Sequence, residues 1–255
     1  MENIYETISE VLSAGKPAVL CVVTQTKGST PRKAGAKMIV MQDGSITGTI
    51  GGGAVEKQVA EEALGLITGK TPHVKRYELH DDLDMHCGGH IEVYMEPIVP
   101  QQRLFIFGAG HVGKAVTRFA RQLGFRITVA DDREGIFDSD EFAGCECIRK
   151  SYREAVNECE FDDNSYVVIV TPQHKYDEAI LAAVARKPHA YLGMIGSRSK
   201  VKQARERFLK ENILTKEELD AIDMPIGIKF AAETPAEIAV SIVAKMIDVR
   251  NTYRK

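Results

Sequence analysis

The chain has 255 residues, a length that suits one large domain or two of moderate size, and we expect two. With 44% hydrophobic residues, 27% charged residues and a net charge of −3, the composition excludes a disordered chain and a strongly basic nucleic-acid-binding protein. Five cysteines without regular spacing favour reduced thiols over a disulfide framework.

Two features predict a cytoplasmic protein with no membrane association. The first residues include acidic side chains, where a secretory signal would have basic ones. The apolar runs are also much shorter than the roughly 20 residues that a membrane-spanning helix needs.

Residues 1–98 are predicted to form a mixed α/β domain. Hydrophobic periodicity separates helices from strands, and Asp43–Gly44 is typical of a tight hairpin turn between two strands. Three glycines, 51–53, mark the passage from a strand to a helix. The predicted elements are a helix over residues 3–14, strands over 17–23, 37–42 and 45–50, a helix over 54–67 and a strand over 90–97.

Residues 103–255 follow a different pattern, after a short linker rich in proline and glutamine. Short continuous apolar runs are each followed by turn residues and a helical pattern, which is typical of parallel strands covered on both faces. We therefore predict a Rossmann-like, doubly wound parallel sheet. Thr234, Pro235 and Glu237 predict the start of the last helix. The apolar runs lie at 104–107, 127–130, 166–170 and 191–195.

A glycine-rich turn directly follows the first strand of this second domain. Gly108, Gly110 and Gly113 form a GxGxxG motif that includes His111 and opens a helix. Asp131 follows the next strand, where an acidic residue accepts a hydrogen bond from a ribose hydroxyl in dinucleotide-binding folds. The context predicts a nucleotide site in which glycines and helix amides meet a pyrophosphate.

Two questions stay open at this motif. Asp131 would repel a 2′-phosphate and so favours NAD over NADP, whereas the nearby Arg133 argues the other way. The glycines are also consistent with an empty site, in which they only allow the helix to pack tightly on the strand.

Two further loops follow strands of the same sheet. His174 and Asp177 come after the run 166–170, at the edge where such folds bind ligands, although a surface loop would explain His174 equally well. Ser197 and Arg198 come after the run 191–195 and open a helix, offering amides and positive charge to an anion. Ordinary solvated side chains are the alternative at this loop.

A basic loop in the first domain suggests an anion site. Between Glu10 and Asp43 the chain has five basic residues and no acidic one. Hydroxyls and positive charges in one loop suit a phosphate or an oxyanion, and the glycine turn before the second helix offers backbone amides. We predict that the two segments converge on one ligand, the alternative being an ordinary solvated surface. The residues concerned are Ser29, Thr30, Arg32, Lys33, Gly51, Gly52, Gly53 and Glu56.

Cys87 is the most distinctive thiol in the sequence. It lies between His86 and His90, outside any apolar run, so we expect it to be accessible and its thiolate to be favoured. Cys21, within an apolar strand, is predicted to be inert. A zinc site formed by His80, His86, Cys87 and His90 is an alternative, but the usual two-pair spacing of zinc ligands is absent.

Several of these motifs occur together in one known family. In the first domain they are GSTPRKAGAKM (28–38), IGGGAVE (50–56) and CGGHIEVYMEP (87–97). In the second they are GAGHVGKAV (108–116), VADDRE (129–134), YLGMIGSRSK (191–200) and TPAEIAVSI (234–242). On these residues the chain resembles the XdhC/CoxI family, the xanthine dehydrogenase accessory factors, over nearly its whole length.

The resemblance implies a chaperone for the molybdenum cofactor rather than an enzyme. Such a protein binds molybdopterin, protects it while a cysteine desulfurase supports its sulfuration, and delivers it to a xanthine dehydrogenase-type molybdenum hydroxylase. Molybdopterin ends in a phosphate, or in a pyrophosphate as a dinucleotide, and its metal suits a soft thiolate. The basic and glycine-rich loops would then hold phosphate, with Cys87 at the metal. A homodimer is also implied.

The alternative function is that of an NAD-dependent oxidoreductase using the Rossmann-like domain, with His174 or Cys87 as the reactive group. Nothing in the first domain resembles a substrate domain with a paired base and orienting residue.

The chain departs from the family at residues 228–232, where members usually have an aspartate and a glycine. The resemblance therefore does not extend to a ligand contact at this turn.

Overall fold

The computed structural model describes residues 3–67, 69, 71–79, 89–99 and 101–252. The chain divides into two compact units, residues 1–101 and 102–255. Cys87, His80 and His86 lie outside the described residues. None of the helices in the described ranges combines the length and apolar character needed to cross a lipid bilayer.

Unit 1 is a five-stranded antiparallel sheet with two helices, which confirms the mixed α/β prediction. The strand order is β3-β2-β1-β5-β4. β4 is a strand that the sequence pattern did not predict. The elements are α1 (Ile4–Ala14), β1 (Ala18–Lys27), β2 (Lys37–Met41), β3 (Ile46–Gly48), α2 (Gly53–Leu66), β4 (His73–Glu78) and β5 (His90–Ile98).

The topology of unit 1 brings its predicted loops to one end of the sheet. β1 pairs antiparallel with β2 and with β5, and β2 pairs antiparallel with β3. The ends of β1 and β3 and the start of β5 therefore lie at the same end. Lys27 is paired with His90 there. Asp43 and Gly44 form the predicted turn between β2 and β3 at the opposite end, with Gly44 at φ +82°.

The core of unit 1 lies between α2 and one face of this sheet. Val55, Val59 and Ala63 from α2 are completely buried together with Cys21 and Val93 from the strands. These helical residues recur every four positions, so one face of α2 packs on the sheet. The glycine turn that precedes α2 is therefore fixed relative to the strand ends.

Unit 2 has the doubly wound architecture predicted from the sequence. Its five strands are parallel in the order β10-β9-β6-β7-β8. β8 was not among the predicted strands. The elements are β6 (Arg103–Phe107), α3 (His111–Arg121), β7 (Arg126–Ala130), β8 (Glu146–Ile148), α4 (Tyr152–Glu158), β9 (Ser165–Ile169), α5 (His174–Val184), β10 (Tyr191–Met194), α6 (Arg198–Lys210), α7 (Lys216–Asp220) and α8 (Pro235–Thr252).

The strand order of unit 2 defines one crevice at the edge of the sheet. The chain proceeds outward from β6 through β7 to β8 and then returns to the other side of β6 with β9. Ligands of doubly wound sheets bind at this reversal, beyond the carboxyl ends of the strands. The loops after β6 and β9 border the crevice, and α3 and α5 begin from them.

The last helix begins where the sequence predicted. The hydroxyl of Thr234 accepts a hydrogen bond from the Glu237 amide at 3.3 Å, while the Glu237 carboxylate accepts one from the Thr234 amide at 2.9 Å. This reciprocal capping satisfies two amides that the helix cannot satisfy by itself. Its buried residues Ile242 and Met246 pack on the α3 side of the sheet.

Candidate functional site

The basic loop and the glycine turn of unit 1 are in contact. A Cβ atom placed on Gly51 would lie 2.6 Å from Cγ of Pro31, a separation that real Cβ atoms do not tolerate. Gly51 also has φ +150°, in the region that favours glycine. The glycine is therefore required for Pro31 to pack against the turn, and this packing holds residues 28–33 beside residues 51–53.

A third segment meets the same loop. Gly89 is buried, and a Cβ atom on it would lie 2.5 Å from the carbonyl oxygens of both Lys27 and Ser29. Only a residue without a side chain can cross the backbone so closely. Gly89 follows Cys87 by two residues, so the chain that enters β5 runs directly past the basic loop. Cys87 itself lies outside the described residues.

The charged side chains of this loop extend into solvent. Arg32 and Lys33 are exposed, whereas Thr30 donates its hydroxyl to the Arg32 carbonyl at 3.0 Å. Lys37 donates to the Gly35 carbonyl at 3.1 Å. The loop is thus shaped by its own hydrogen bonds, and the two exposed cations remain available to an anion. Ser29 is exposed beside them.

Glu56 has a role that the sequence did not reveal. Its Oε1 accepts hydrogen bonds from the amides of Ile50, Gly51 and Gly52 at 3.0, 3.1 and 2.7 Å, and also from the Thr49 hydroxyl. Burial by itself would raise the pKa of Glu56, but these hydrogen bonds outweigh it and lower the pKa below its ordinary value.

The glycine turn is therefore already occupied by an anion of the protein itself. Of the three glycine amides that were expected to hold a phosphate, those of Gly51 and Gly52 donate to the Glu56 carboxylate, and a ligand could take these two only by displacing it. In this arrangement the cations at positions 32 and 33 are the groups left for a phosphate. The only sequence signal for this contact is an acidic residue three positions after the three glycines 51–53.

We expect Glu56→Gln to lower the free energy of unfolding at neutral pH by about 1–2 kcal/mol, because charge-assisted hydrogen bonds become neutral ones. Since the pKa of Glu56 is lowered in the folded state, its stabilising effect is present above its unfolded pKa and is lost as the pH falls through the folded value. Urea unfolding at several pH values measures both effects.

The exposed Glu61 on the same helix supplies the control for that comparison. Glu61→Gln should change stability little at any pH. Equal effects of the two substitutions would contradict the role given to Glu56.

In unit 2, the three glycines of the GxGxxG motif have different roles. A Cβ atom on Gly108 would lie 2.4 Å from the Val170 carbonyl oxygen, and one on Gly113 would lie 1.9 Å from the Gly108 carbonyl oxygen. Gly108 and Gly113 are therefore needed for packing. A Cβ on Gly110 would meet only Nη2 of Arg133, at 3.8 Å, and Gly110 has an ordinary φ of −72°.

Packing thus explains two of these glycines and leaves Gly110 unexplained. In dinucleotide-binding turns the middle glycine lets a pyrophosphate come close to the backbone. The alternative that all three glycines serve only the packing of helix on strand does not fit Gly110. His111, next along the chain, is exposed at the first turn of α3.

Asp131 is completely buried and bonded on both oxygens. Its Oδ2 accepts from the Ala109 amide at 2.7 Å and from Nη2 of Arg133 at 2.8 Å, while Oδ1 accepts from Nε of Arg133 at 2.8 Å. Burial alone would raise the pKa of Asp131, but the hydrogen bonds from Arg133 and Ala109 lower it. The carboxylate ties the glycine turn to the end of β7, and a ribose hydroxyl would have to compete with these bonds.

The other predicted residues of unit 2 lie on the same edge. His174 is the first residue of α5, after β9, and Ser197 caps α6, after β10, accepting a bond from the Lys200 amide at 3.4 Å. A Cβ atom on Gly196 would lie 3.9 Å from Cε1 of His174, so the two loops adjoin. Arg198 is exposed at the start of α6.

Among the described cysteines, Cys21 and Cys159 are buried, Cys145 is partly exposed and Cys147 is exposed. Cys21 is buried, and burial raises its pKa to about 12, which makes it unreactive as predicted. No cluster of three or more potential metal ligands occurs within the described ranges. Of the zinc alternative only His90 is described, and its Nδ1 lies 2.9 Å from Nη2 of Arg76.

The segment that departs from the family pattern is an exposed one. Ile228 and Phe230 are 43% and 47% exposed, respectively. Gly227, just before them, has φ +99°, and a Cβ atom on it would lie 2.2 Å from the hydroxyl oxygen of Ser241. The glycine at position 227 is therefore a packing requirement against α8.

Comparisons with known proteins agree on one family. The chain matches the model of the XdhC Rossmann domain over residues 104–246 and that of the XdhC and CoxI family over residues 11–78. It is 33% identical to the protein YqeB of Escherichia coli over 98% of this chain, which spans only 46% of YqeB.

Two relatives are similar to the chain over most of their own length. A probable xanthine dehydrogenase subunit of Bacillus subtilis is 23% identical, covering 98% of each chain. The molybdenum cofactor insertion chaperone PaoD of Escherichia coli is 23% identical, covering 94% of this chain and 86% of PaoD. A crystal structure of a xanthine dehydrogenase from Bacillus halodurans shares the fold, with a TM-score of 0.55, 21% identity and coverage of 98% and 96%.

Proposed function

Because this chain belongs to the XdhC and CoxI family, we propose that it is an accessory protein that binds the molybdenum cofactor and delivers it to a xanthine dehydrogenase-type molybdenum hydroxylase. The name of PaoD as a cofactor insertion chaperone supports this function, and that of the relative from Bacillus subtilis supports the type of client enzyme. Sulfuration of the bound cofactor by a cysteine desulfurase and a homodimeric assembly are further parts of the proposal.

The observation that carries this proposal is the meeting of three segments at one end of the unit 1 sheet. Pro31 packs on Gly51, and Gly89 crosses the backbone of Ser29. The exposed cations Arg32 and Lys33 follow Pro31 directly on the same loop. Cationic side chains suit the terminal phosphate of the cofactor, and Cys87, two residues before Gly89, would offer a soft ligand to molybdenum.

In unit 2, a nucleotide is the ligand that the crevice between β6 and β9 favours. Support comes from Gly110, which packing does not explain, at the start of α3. The ligand is either NAD or the nucleotide end of a cofactor dinucleotide, since both offer a pyrophosphate to the same amides. A ribose hydroxyl would bind Asp131 in competition with Ala109 and Arg133, which already donate to its carboxylate.

Copurification tests the cofactor proposal. We expect the protein from a host that makes the cofactor to contain molybdenum and a pterin that fluoresces after oxidation. Arg32→Ala/Lys33→Ala should weaken cofactor affinity about a hundredfold or more and so reduce both, since two charge-assisted phosphate contacts are lost, each worth about 1.5 kcal/mol or more. Elemental analysis and pterin fluorescence measure the two components separately.

Lys16→Ala is the matched control, because Lys16 is exposed before the start of β1, at the opposite end of that strand from the loop. It should retain the cofactor in full. Cys87→Ala should lose molybdenum more than pterin. Equal retention in the loop double variant and the Lys16 control would overturn the phosphate role of the loop. NAD turnover with a small substrate, and no bound pterin, would favour the oxidoreductase alternative.

A further inference from the structure

The carboxylate of Asp177 is buried and only half satisfied. Asp177 is 1% exposed, on the first turn of α5. Its Oδ1 accepts from the Thr171 amide at 2.9 Å and from the Thr171 hydroxyl at 2.6 Å. Its Oδ2 has no aligned hydrogen-bond donor among the described residues. A buried carboxylate oxygen without a donor is costly and therefore calls for a function.

His174 is the side chain within reach of that oxygen. Its Nδ1 lies 3.2 Å from Oδ2 of Asp177, which is close enough for a hydrogen bond but not well aligned for one. The side chain of His174 is 37% exposed. With Nδ1 directed at the buried acid, Nε2 is the ring nitrogen left for a ligand.

The pair lies at the border of the crevice. Thr171, which holds Asp177, follows β9, and a Cβ atom on Gly108 would lie 2.9 Å from the Cα atom of Thr171. On the other side, Cε1 of His174 is close to Gly196 at the start of α6. His174 therefore stands between two glycine-containing turns, each leading into a helix that directs amides toward this edge.

We infer that His174 binds a phosphate group of a nucleoside diphosphate through Nε2, and that Asp177 is a positioning residue that holds the imidazole for this contact. The inference rests on the proposed nucleotide site of unit 2. A ligand bound at Nε2 favours the small rotation of the ring that aligns Nδ1–H with Oδ2 of Asp177. A carboxylate at Nδ1 stabilises the doubly protonated imidazolium, and in that form Nε2–H donates a hydrogen bond to an anion.

The positive charges at this edge of the sheet fit a phosphate once the Asp177 carboxylate is paired with His174. Burial raises the pKa of Asp177, although the bonds from Thr171 and the neighbouring His174 partly oppose this shift. Arg198 and Lys200 are exposed on the first turn of α6, next to Ser197. These cations follow Gly196, where an added Cβ atom would lie 3.9 Å from Cε1 of His174.

Nuclear magnetic resonance of the full chain, labelled with ¹⁵N-histidine, tests the contact directly. The probes are ADP, CDP, GDP and NAD, which separate a dinucleotide cofactor from the nucleotide end of a molybdopterin dinucleotide. In the wild type, a nucleotide that binds should strongly shift the ¹⁵N resonance of Nε2 of His174, while Nδ1 carries a proton. His174→Gln identifies the signals and should weaken binding about tenfold, the value of one charge-assisted hydrogen bond.

Asp177→Asn separates positioning from a merely structural role. It should leave the fold intact, change the population of the two His174 tautomers even without nucleotide, and weaken binding several-fold. The control is Gln173→Ala, because the Gln173 side chain makes no capping hydrogen bond to this helix. This substitution should change neither the tautomer population nor the binding. Binding with His174 signals unmoved would overturn this inference alone. Absence of any nucleotide binding would overturn the proposed site of unit 2 as well.

Discussion

Gly113→Ala is expected to cost unit 2 about 3 kcal/mol of unfolding free energy or more, because small-to-large changes in tightly packed positions force backbone shifts. The added methyl carbon would lie 1.9 Å from the Gly108 carbonyl oxygen and 3.6 Å from Ile106. The contact with Ile106 is an ordinary van der Waals distance, whereas the clash is with the backbone of the same turn, so no flexible side chain can move aside to relieve it. The start of α3 would have to lift away from β6. Thermal or urea unfolding measures the loss.

Gly110→Ala is the control that gives this result its functional meaning. Gly110 has room for a methyl group and an ordinary φ, so we expect stability within about 0.5 kcal/mol of the wild type. Nucleotide affinity should nevertheless fall, because the methyl group would occupy the space in which a pyrophosphate meets the amides. Unchanged affinity of a folded Gly110→Ala protein would contradict the ligand role of this glycine.

Asp131→Ala is expected to lower the unfolding free energy by about 2–3 kcal/mol at neutral pH, since it removes the acceptor of a buried amide and one member of an ion pair. The buried amide is that of Ala109, and the pair is that with Arg133, which is 41% exposed and can be solvated after the change. The released glycine turn should also exchange its amide protons faster. Hydrogen exchange and urea unfolding measure the two effects.

The pH dependence of this effect has a definite sign. The pKa of Asp131 is lowered in the folded state, so its contribution is complete above its unfolded pKa, about 4, and disappears as the pH falls through the folded value. The difference in stability between wild type and Asp131→Ala should therefore shrink in acid. A difference that stays constant down to about pH 2 would contradict the pairing described for Asp131.

Much of the fold follows from local patterns in the sequence. The strand-turn-helix repeats of unit 2 predicted the parallel sheet, because continuous apolar runs are stable only where both faces are covered. Thr234 and Glu237 predicted the start of α8, because the reciprocal hydrogen bonds of this cap lie within four consecutive residues.

The strands β4 and β8 were not predicted from the sequence. β4 lies at one edge of its sheet with four of its six residues exposed, and β8 has only three residues.

The candidate sites were also predicted only in part from the sequence. The sequence located the basic loop, the glycine turns and the histidine after β9, since each stands at the end of an apolar run where ligands of such folds bind. It could not tell which amides and carboxylates were already bonded within the protein. Glu56, Asp131 and Asp177 are all acidic residues near a turn, yet only the tertiary contacts distinguish their roles.

What the sequence determined by itself is therefore the order of the elements and the places where glycines and charges interrupt them, because these depend on neighbours along the chain. Only the tertiary structure decided which glycines are required for packing and which acidic side chain has an oxygen without an aligned hydrogen-bond donor. Those properties depend on atoms from distant segments, such as Val170 at Gly108, Pro31 at Gly51 and His174 beside the buried carboxyl of Asp177. A hydrogen bond or a steric contact between such segments leaves no local pattern in the sequence.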